Sequence, residues 1–342
     1  MIVVLVGAEL PDSPINPAPH CRSMYTSFRC LPCFPCSTLG FLIHGSFLAF
    51  LSIFALTVGA CHAALPADVY WNSVLPNTPM PSAIRHVIRS GVFVDDMDSV
   101  CAFFRYAATQ SQIQDPTVTV FFLEKDLHPG ANMTFHFTRT TTGATLLPRE
   151  LADSIPFSSA KLPEILSRLS IAPDSVQAET MKKILLECEE PAIDGEIRYC
   201  ATSVESMVDF STSCLGTRNV EALSTTVDRK APPKQVYTIS KVQKLPTSKL
   251  VVCHSENYAY AVFHCHTACA EAYKVSMVGK DGTKVEAVAA CHTDTAGFSP
   301  EHVAFKVLNV KPGTVPICQF QPQNDIVWSP NTLSISPLEM VV

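Results

Sequence analysis

The arrangement of apolar and polar residues differs from one part of this chain to another. The first distinct feature is a long apolar run from Gly40 to Ala64. The run contains no acidic, lysine or arginine side chain, Arg29 lies upstream, and mostly small residues end the run at Gly59–Ala63. A basic flank, an apolar centre and a small-residue end predict a secretory signal peptide, cleaved after Ala60 or Ala63. The run is also long enough to span a bilayer, so a permanent anchor is the alternative.

Downstream, the apolar positions alternate between periods of two and of three to four residues. Period two predicts β-strands, and the longer period predicts helices. The strand segments expected are 117–123, 133–137, 273–278, 284–290, 303–310 and 314–320. The helices expected are 82–89, 163–171, 174–189 and 203–214. Asp281-Gly282 and Pro312-Gly313 predict hairpin turns, and the prolines between 66 and 81 predict extended chain.

Composition narrows the class of protein. The chain has 342 residues, 14 cysteines, 26 prolines and a net charge of -6. This cysteine content is typical of a secreted protein, and the length supports one or two domains. The acidic balance and the lack of a basic run argue against a nucleic-acid partner.

Cysteine and histidine recur as neighbours near the C-terminus. The dipeptides are Cys253-His254, Cys265-His266 and Cys291-His292, followed by Cys318-Gln319 and then Trp328. Because successive side chains of a strand point to opposite faces, each dipeptide would send its thiol one way and its imidazole the other. His264 shares the parity of His266, which would place both imidazoles on one face within reach of a shared metal.

This signature resembles the BURP domain, a plant family defined by four Cys-His dipeptides and a final Trp. Segments around 121–130, 147–150, 155–159 and 188–200 resemble the remainder of the domain. Gln319 departs from the pattern, because it replaces the fourth histidine. The segment from Ala64 to Pro81 resembles the mature N-terminus of the dehydration-responsive and seed-protein branches.

The resemblance and the patterns together define the expected architecture. We expect an α+β fold that is mostly antiparallel β-sheet with a few short helices, stabilised by disulfides. The expected segments are an N-terminal extension and signal peptide (1–63), a mature N-terminal segment and linker (64–118), the BURP domain (119–330) and a tail (331–342). Cys188 and Cys200 are candidates for a loop-closing disulfide, and the pairing of the other disulfide candidates stays open. The other candidates are Cys253, Cys265, Cys291 and Cys318.

Three histidines are the first candidates for metal ligands. They are His254, His266 and His292, with His264 as a further possibility. Neutral imidazole suits copper and zinc, and copper is the cofactor that the resemblance favours. The alternative is that the cysteines form bridges and the histidines are only polar neighbours. Asn132 begins the one Asn-X-Ser/Thr glycosylation motif in the chain.

The resemblance implies a secreted, noncatalytic protein of the cell wall or apoplast, linked to development or abiotic stress. Two alternatives are a copper-dependent peptide cyclase that cross-links aromatic side chains, and a noncatalytic subunit of a pectin-degrading enzyme. Cell-wall polysaccharide or a wall protein is the expected partner, and the membrane would be contacted only through an uncleaved signal segment. No nucleophile elbow or phosphate-binding glycine loop favours another enzyme class.

Overall fold

The computed structural model describes residues 67–89, 119–137, 144–192 and 195–331. The signal segment, most of the predicted segment 64–118 and the tail beyond Asn331 lie outside these residues. The helices are α1 (Ala67–Val74), α2 (Ser82–Arg89), α3 (Arg149–Ser154), α4 (Leu162–Arg168), α5 (Val176–Glu189), α6 (Val204–Leu215) and α7 (Val303–Leu308). Two single 3-10 turns lie at Glu124–Asp126 and Ser159–Lys161.

In the part of the chain that the structure describes, twelve strands form two antiparallel sheets, as the α+β prediction requires. The first seven strands are β1 (Phe121–Leu123), β2 (Asn132–Phe135), β3 (Arg198–Ala201), β4 (Val220–Leu223), β5 (Thr226–Val227), β6 (Gln235–Lys244) and β7 (Lys249–Glu256). The remaining five are β8 (Val262–Cys269), β9 (Glu271–Gly279), β10 (Lys284–His292), β11 (Ile317–Phe320) and β12 (Ile326–Pro330).

Sheet A has the strand order β1-β11-β10-β9-β6-β2, with β5 added beside β10. The backbone N–H of Thr119, just before β1, donates a hydrogen bond to the carbonyl of Thr134 in β2. The two ends of the strand order therefore approach each other, and the sheet curls around an apolar interior. That interior contains Met133, Phe135, Tyr237, Cys291 and Cys318 among other buried residues.

Sheet B has the order β3-β8-β7-β12-β4 and carries the first two Cys-His dipeptides. One of its faces packs against α1, α2 and α6 around Trp71 and Trp328, whose ring centroids are 5.4 Å apart. Part of its other face meets the outer face of sheet A. That junction is a small apolar cluster of Leu245, Leu250, Val252, Ala270, Ala272, Val288 and Val327.

Several local predictions are confirmed by the elements observed. Helix α6 occupies the predicted segment 203–214, and it is capped by Ser203, whose side chain accepts a hydrogen bond from the backbone N–H of Ser206. Strands β9 and β10 pair across the Asp281-Gly282 turn, where Gly282 takes a φ of 83°.

Two local predictions are wrong. Residues 303–308 form helix α7 instead of a hairpin strand, and β11 pairs with β1 and β10. The segment 67–74 is helical instead of extended, and it buries Trp71 completely. Both helices are short, so the contacts of their buried aromatic side chains outweigh a weak local pattern.

Candidate metal centre

The three disulfides of the described residues fix the scaffold of the site. They join Cys188 to Cys200, Cys253 to Cys265, and Cys291 to Cys318, and these are the six cysteines predicted to form bridges. Cys214 and Cys269 are not part of any of these bridges. The loop-closing pair Cys188–Cys200 connects helix α5 to strand β3.

Cys253 and Cys265 are direct cross-strand partners in β7 and β8. Both thiols lie in the cluster around Trp71 and Trp328, so they belong to the helix-covered face of sheet B. The register places His254 opposite His264 and Val252 opposite His266, on the other face of the same two strands. The predicted division of thiols and imidazoles between the two faces is therefore confirmed.

Sheet A repeats the same division at its own dipeptide. Cys291 and Cys318 are register partners that point into the curled interior. His292 is one residue further along β10, so it lies on the outer face and contacts the ring of Phe298 at a centroid distance of 5.2 Å. The outer face of sheet A meets the imidazole face of sheet B, which brings His292 toward the sheet B histidines.

His254 and His266 form the centre of the site. Their Nε2 atoms are 3.3 Å apart, and their rings are nearly parallel, with an interplanar angle of 21°. Nδ1 of His254 lies 2.6 Å from Oδ2 of Asp325. Nδ1 of His266 lies 2.8 Å from Oε1 of Glu196. Each imidazole thus has a carboxylate on one nitrogen and the other imidazole on its second nitrogen.

The two carboxylates determine what the imidazole pair can bind. An Nδ1–H that donates to a carboxylate leaves Nε2 with a lone pair, and this is the arrangement usual for histidine ligands of metals. Two nitrogen ligands of a tetrahedral ion, each about 2.0 Å from the metal, are about 3.3 Å apart. The donor set His254 and His266 therefore fits a metal ion that prefers imidazole.

His292 is held unprotonated beside this pair. Burial, and to a smaller extent the nearby His266, His302 and His254 in that order, lower its pKa from 6.5 to about 4. A neutral imidazole is the form that binds metals. Among the described residues, one group of three His, Cys, Asp or Glu side chains has its ligand atoms all within 4.8 Å of one another, and His292 is not in that group. His292 therefore does not form a compact three-ligand set with His254 and His266.

His302 does not replace the histidine that is missing at Gln319. Its Nδ1 accepts a hydrogen bond from the backbone N–H of Ala304 and caps helix α7. A neutral imidazole has one acceptor nitrogen, so this cap uses the lone pair that a metal would need. Gln319 lies in β11, paired with Ala290 and Phe121.

Sequence reasoning missed the groups that support the imidazoles. Asp325 precedes β12 and also accepts a hydrogen bond from the backbone N–H of Ser255 at 3.1 Å. Glu196 precedes β3 and lies 3.3 Å from Nε of Arg198. Their separation in sequence from the histidines gives no local signal, although Asp325 stands three residues before the signature Trp328.

The other predicted residues occupy different surroundings. His264 is almost completely buried, at 1% exposure, and its ring centroid is 6.2 Å from that of His266. Asn132 is exposed in β2, where its side-chain oxygen accepts a hydrogen bond from Thr238. Trp328 is fully buried. Among the helices that the structure describes, none is long and apolar enough to cross a membrane.

Comparison with known proteins shows which family the chain resembles. The family model "BURP domain" matches residues 120–330. BURP domain-containing protein 3 of Oryza sativa subsp. japonica is 57% identical over 232 residues, covering 66% of this chain and 54% of the relative. BURP domain-containing protein 5 of the same species is 46% identical over 288 residues, covering 79% of this chain and 89% of the relative.

A relative from another species shows the same match. The BURP domain protein RD22 of Arabidopsis thaliana is 47% identical over 232 residues, which covers 66% of this chain and 59% of that protein. The chain thus spans only part of the length of several relatives that it matches. The family model and these relatives together show that the chain belongs to the plant BURP domain family.

Proposed function

We propose that this protein is a secreted, copper-binding protein of the plant cell wall or apoplast, without catalytic activity of its own. The observation that carries the proposal is the pair of Nε2 atoms of His254 and His266, 3.3 Å apart and each backed by a carboxylate. His292 is the third imidazole on this side of the sheets. When bound, a copper ion held by imidazoles supplies one-electron redox chemistry.

The chain's own residues would hold and orient the metal. Asp325 and Glu196 would accept hydrogen bonds from Nδ1–H of His254 and His266, which leaves a lone pair on each Nε2 for the metal. The Cys253–Cys265 bridge joins the residues that precede both histidines, which fixes the separation of the two rings. The site is therefore preorganised by a covalent bond on one face and by hydrogen bonds to carboxylates on the other.

Secretion is supported by the chemistry of the cysteines. Disulfides persist in oxidising compartments, so the three bridges are compatible with an extracellular location. The apolar run at 40–64 supplies the expected signal peptide. A role in development or abiotic stress follows from the resemblance of residues 64–81 to the dehydration-responsive branch.

Copper titration of the purified, metal-depleted protein tests the proposal. We expect wild type to bind copper and His266→Gln to bind it at least about 100-fold more weakly, since loss of a mere supporting group costs about 10–100-fold. His136→Gln is the matched control, because His136 is exposed beside β2 and lies outside the cluster. Equal copper affinity in wild type and His266→Gln would remove the proposed site.

Location and activity are tested separately. We expect the protein in the cell-wall or apoplastic fraction of plant tissue, cleaved after Ala60 or Ala63, and recovery with the membranes would support the anchor instead. We also expect an unchanged mass after copper is added. Loss of two hydrogens per cross-link would support the peptide-cyclase alternative, although Trp71 is buried against Trp328 and serves the core.

A further inference from the structure

Three side chains from different elements meet beside the imidazole pair. They are Glu187 of α5, Glu256 at the end of β7 and His264 of β8, and their ligand atoms all lie within 4.8 Å of one another. His264 is 1% exposed, and both carboxylates are partly buried. Each of the three offers one atom of a kind that divalent metals accept.

Strand register places two of these donors. His264 pairs with His254, and Glu256 pairs with Val262, two residues before His264. Cross-strand partners share a face, so Glu256 and His264 lie diagonally on the imidazole face of sheet B. Diagonal neighbours of this kind are within reach of long side chains.

A disulfide places the third donor. Glu187 immediately precedes Cys188, which is bridged to Cys200 in β3. Cys200 is in turn the register partner of His264 in β8. The bridge therefore fastens the C-terminal turn of α5 directly over the buried imidazole and brings the Glu187 carboxylate to it.

The charges of this cluster favour a cation. Two carboxylates this close repel each other, and partial burial increases the cost of both charges. A divalent ion bound by both carboxylates and a neutral His264 would relieve this repulsion. Two carboxylate oxygens and one imidazole nitrogen form a donor set that suits zinc.

We infer that Glu187, Glu256 and His264 form a second divalent-metal site, which takes zinc and is separate from the His254–His266 pair. The two sites lie on neighbouring positions of β8, and the rings of His264 and His266 have centroids 6.2 Å apart. The supporting carboxylates also differ, because His254 and His266 are backed by Asp325 and Glu196.

Zinc binding in a background that lacks the imidazole pair tests this site. In the full secreted chain carrying His254→Gln and His266→Gln, depleted with chelator and then titrated with Zn²⁺, we expect one equivalent of zinc to remain bound. Adding Glu256→Gln should weaken this binding at least about 100-fold, because a direct donor is lost. Glu190→Gln in the same background is the control, since Glu190 is exposed at the end of α5 and should leave zinc affinity unchanged.

Each outcome decides between the two sites. Unchanged zinc affinity on adding Glu256→Gln, or no zinc bound in the folded background variant, would overturn the second site while leaving the copper result intact. A different outcome would support the second site and remove the first. In that outcome, Glu256→Gln abolishes zinc binding, whereas His266→Gln leaves copper affinity unchanged. Glu187→Gln, partly buried at the helix end, repeats the test without altering the buried His264.

Discussion

The carboxylate of Asp325 lies 2.6 Å from Nδ1 of His254, although the two residues are 71 positions apart in the chain. Asp325 also accepts the backbone N–H of Ser255, so it connects the start of β12 to the end of β7. This contact fixes both the tautomer and the orientation of the His254 ring.

Asp325→Asn should therefore weaken copper binding without unfolding the protein. The amide preserves the shape of the side chain but cannot accept the Nδ1 proton as a carboxylate does, so we expect affinity to fall by about 10–100-fold. Calorimetric titration with copper measures the change. Asp174→Asn, exposed ahead of α5, is the control. An affinity equal to wild type would show that Asp325 does not support the ligand.

Removal of the Cys253–Cys265 bridge should affect stability and metal binding together. The bridge closes a separation of 12 residues, so Cys253→Ala with Cys265→Ala should lower the free energy of unfolding by about 3 kcal/mol. Copper affinity should fall as well, because the histidines follow the bridged residues. Urea unfolding and copper titration measure the two effects. Cys214→Ala, which breaks no bridge, should leave copper affinity unchanged.

Trp71 should contribute strongly to the stability of the domain. Its ring is fully buried against Trp328, and its Nε1–H donates to the carbonyl of Thr78 at 2.7 Å. Trp71→Ala should cost about 3–5 kcal/mol through the cavity and the lost contacts. Val69→Ala on the exposed side of the same helix should change the unfolding free energy by at most about 0.5 kcal/mol. Similar denaturation midpoints for the two variants would contradict the proposed docking of α1.

Asp281 should make the hairpin β9–β10 sensitive to acid. Hydrogen bonds from Thr283 and then from Gln235 lower its pKa from 3.8 to about 2. A carboxyl with a lowered pKa stabilises the fold above its unfolded pKa, and this stabilisation is lost as the pH falls through about 2.

Asp281→Asn should accordingly be less stable than wild type at pH 7, and the difference should close between about pH 4 and pH 2. Thermal unfolding at a series of pH values measures the difference. Asp153→Asn, an exposed change on α3, should show no comparable convergence. A constant difference between wild type and Asp281→Asn down to pH 2 would assign its effect to turn geometry instead of charge.

The imidazole face could be predicted because it depends on a strictly local rule. On any strand, the thiol of Cys253 and the ring of His254 must point to opposite faces. The period-two pattern also predicted a strand over Val303–Val310, but residues 303–308 form a helix that is capped by Asn309 with a φ of 52°. A segment this short has no decisive period, and packing of Phe305 against Phe121 and Ile317 determines its conformation.

The supporting carboxylates could not be predicted because their positions depend on the pairing of distant strands. Glu196 contacts His266 because β3 pairs with β8. This pairing places Arg198, two residues after Glu196, opposite His266. Glu187 lies near His264 because the Cys188–Cys200 disulfide joins its helix to the same strand β3. The sequence indicates which residues carry metal-binding chemistry, and the topology decides which of them meet.

The contact between Trp71 and Trp328 also bears on how the molecule is made. The ribosome synthesises helix α1 long before strand β12, which this helix covers. The core around Trp71 and Trp328 can therefore pack only after nearly the whole chain has been synthesised. During that interval the thiols of Cys253 and Cys265 remain uncovered and open to oxidation. A transcript that ends ahead of Trp328 would yield a polypeptide in which the apolar cluster around Trp71 stays incomplete, a substrate for quality control.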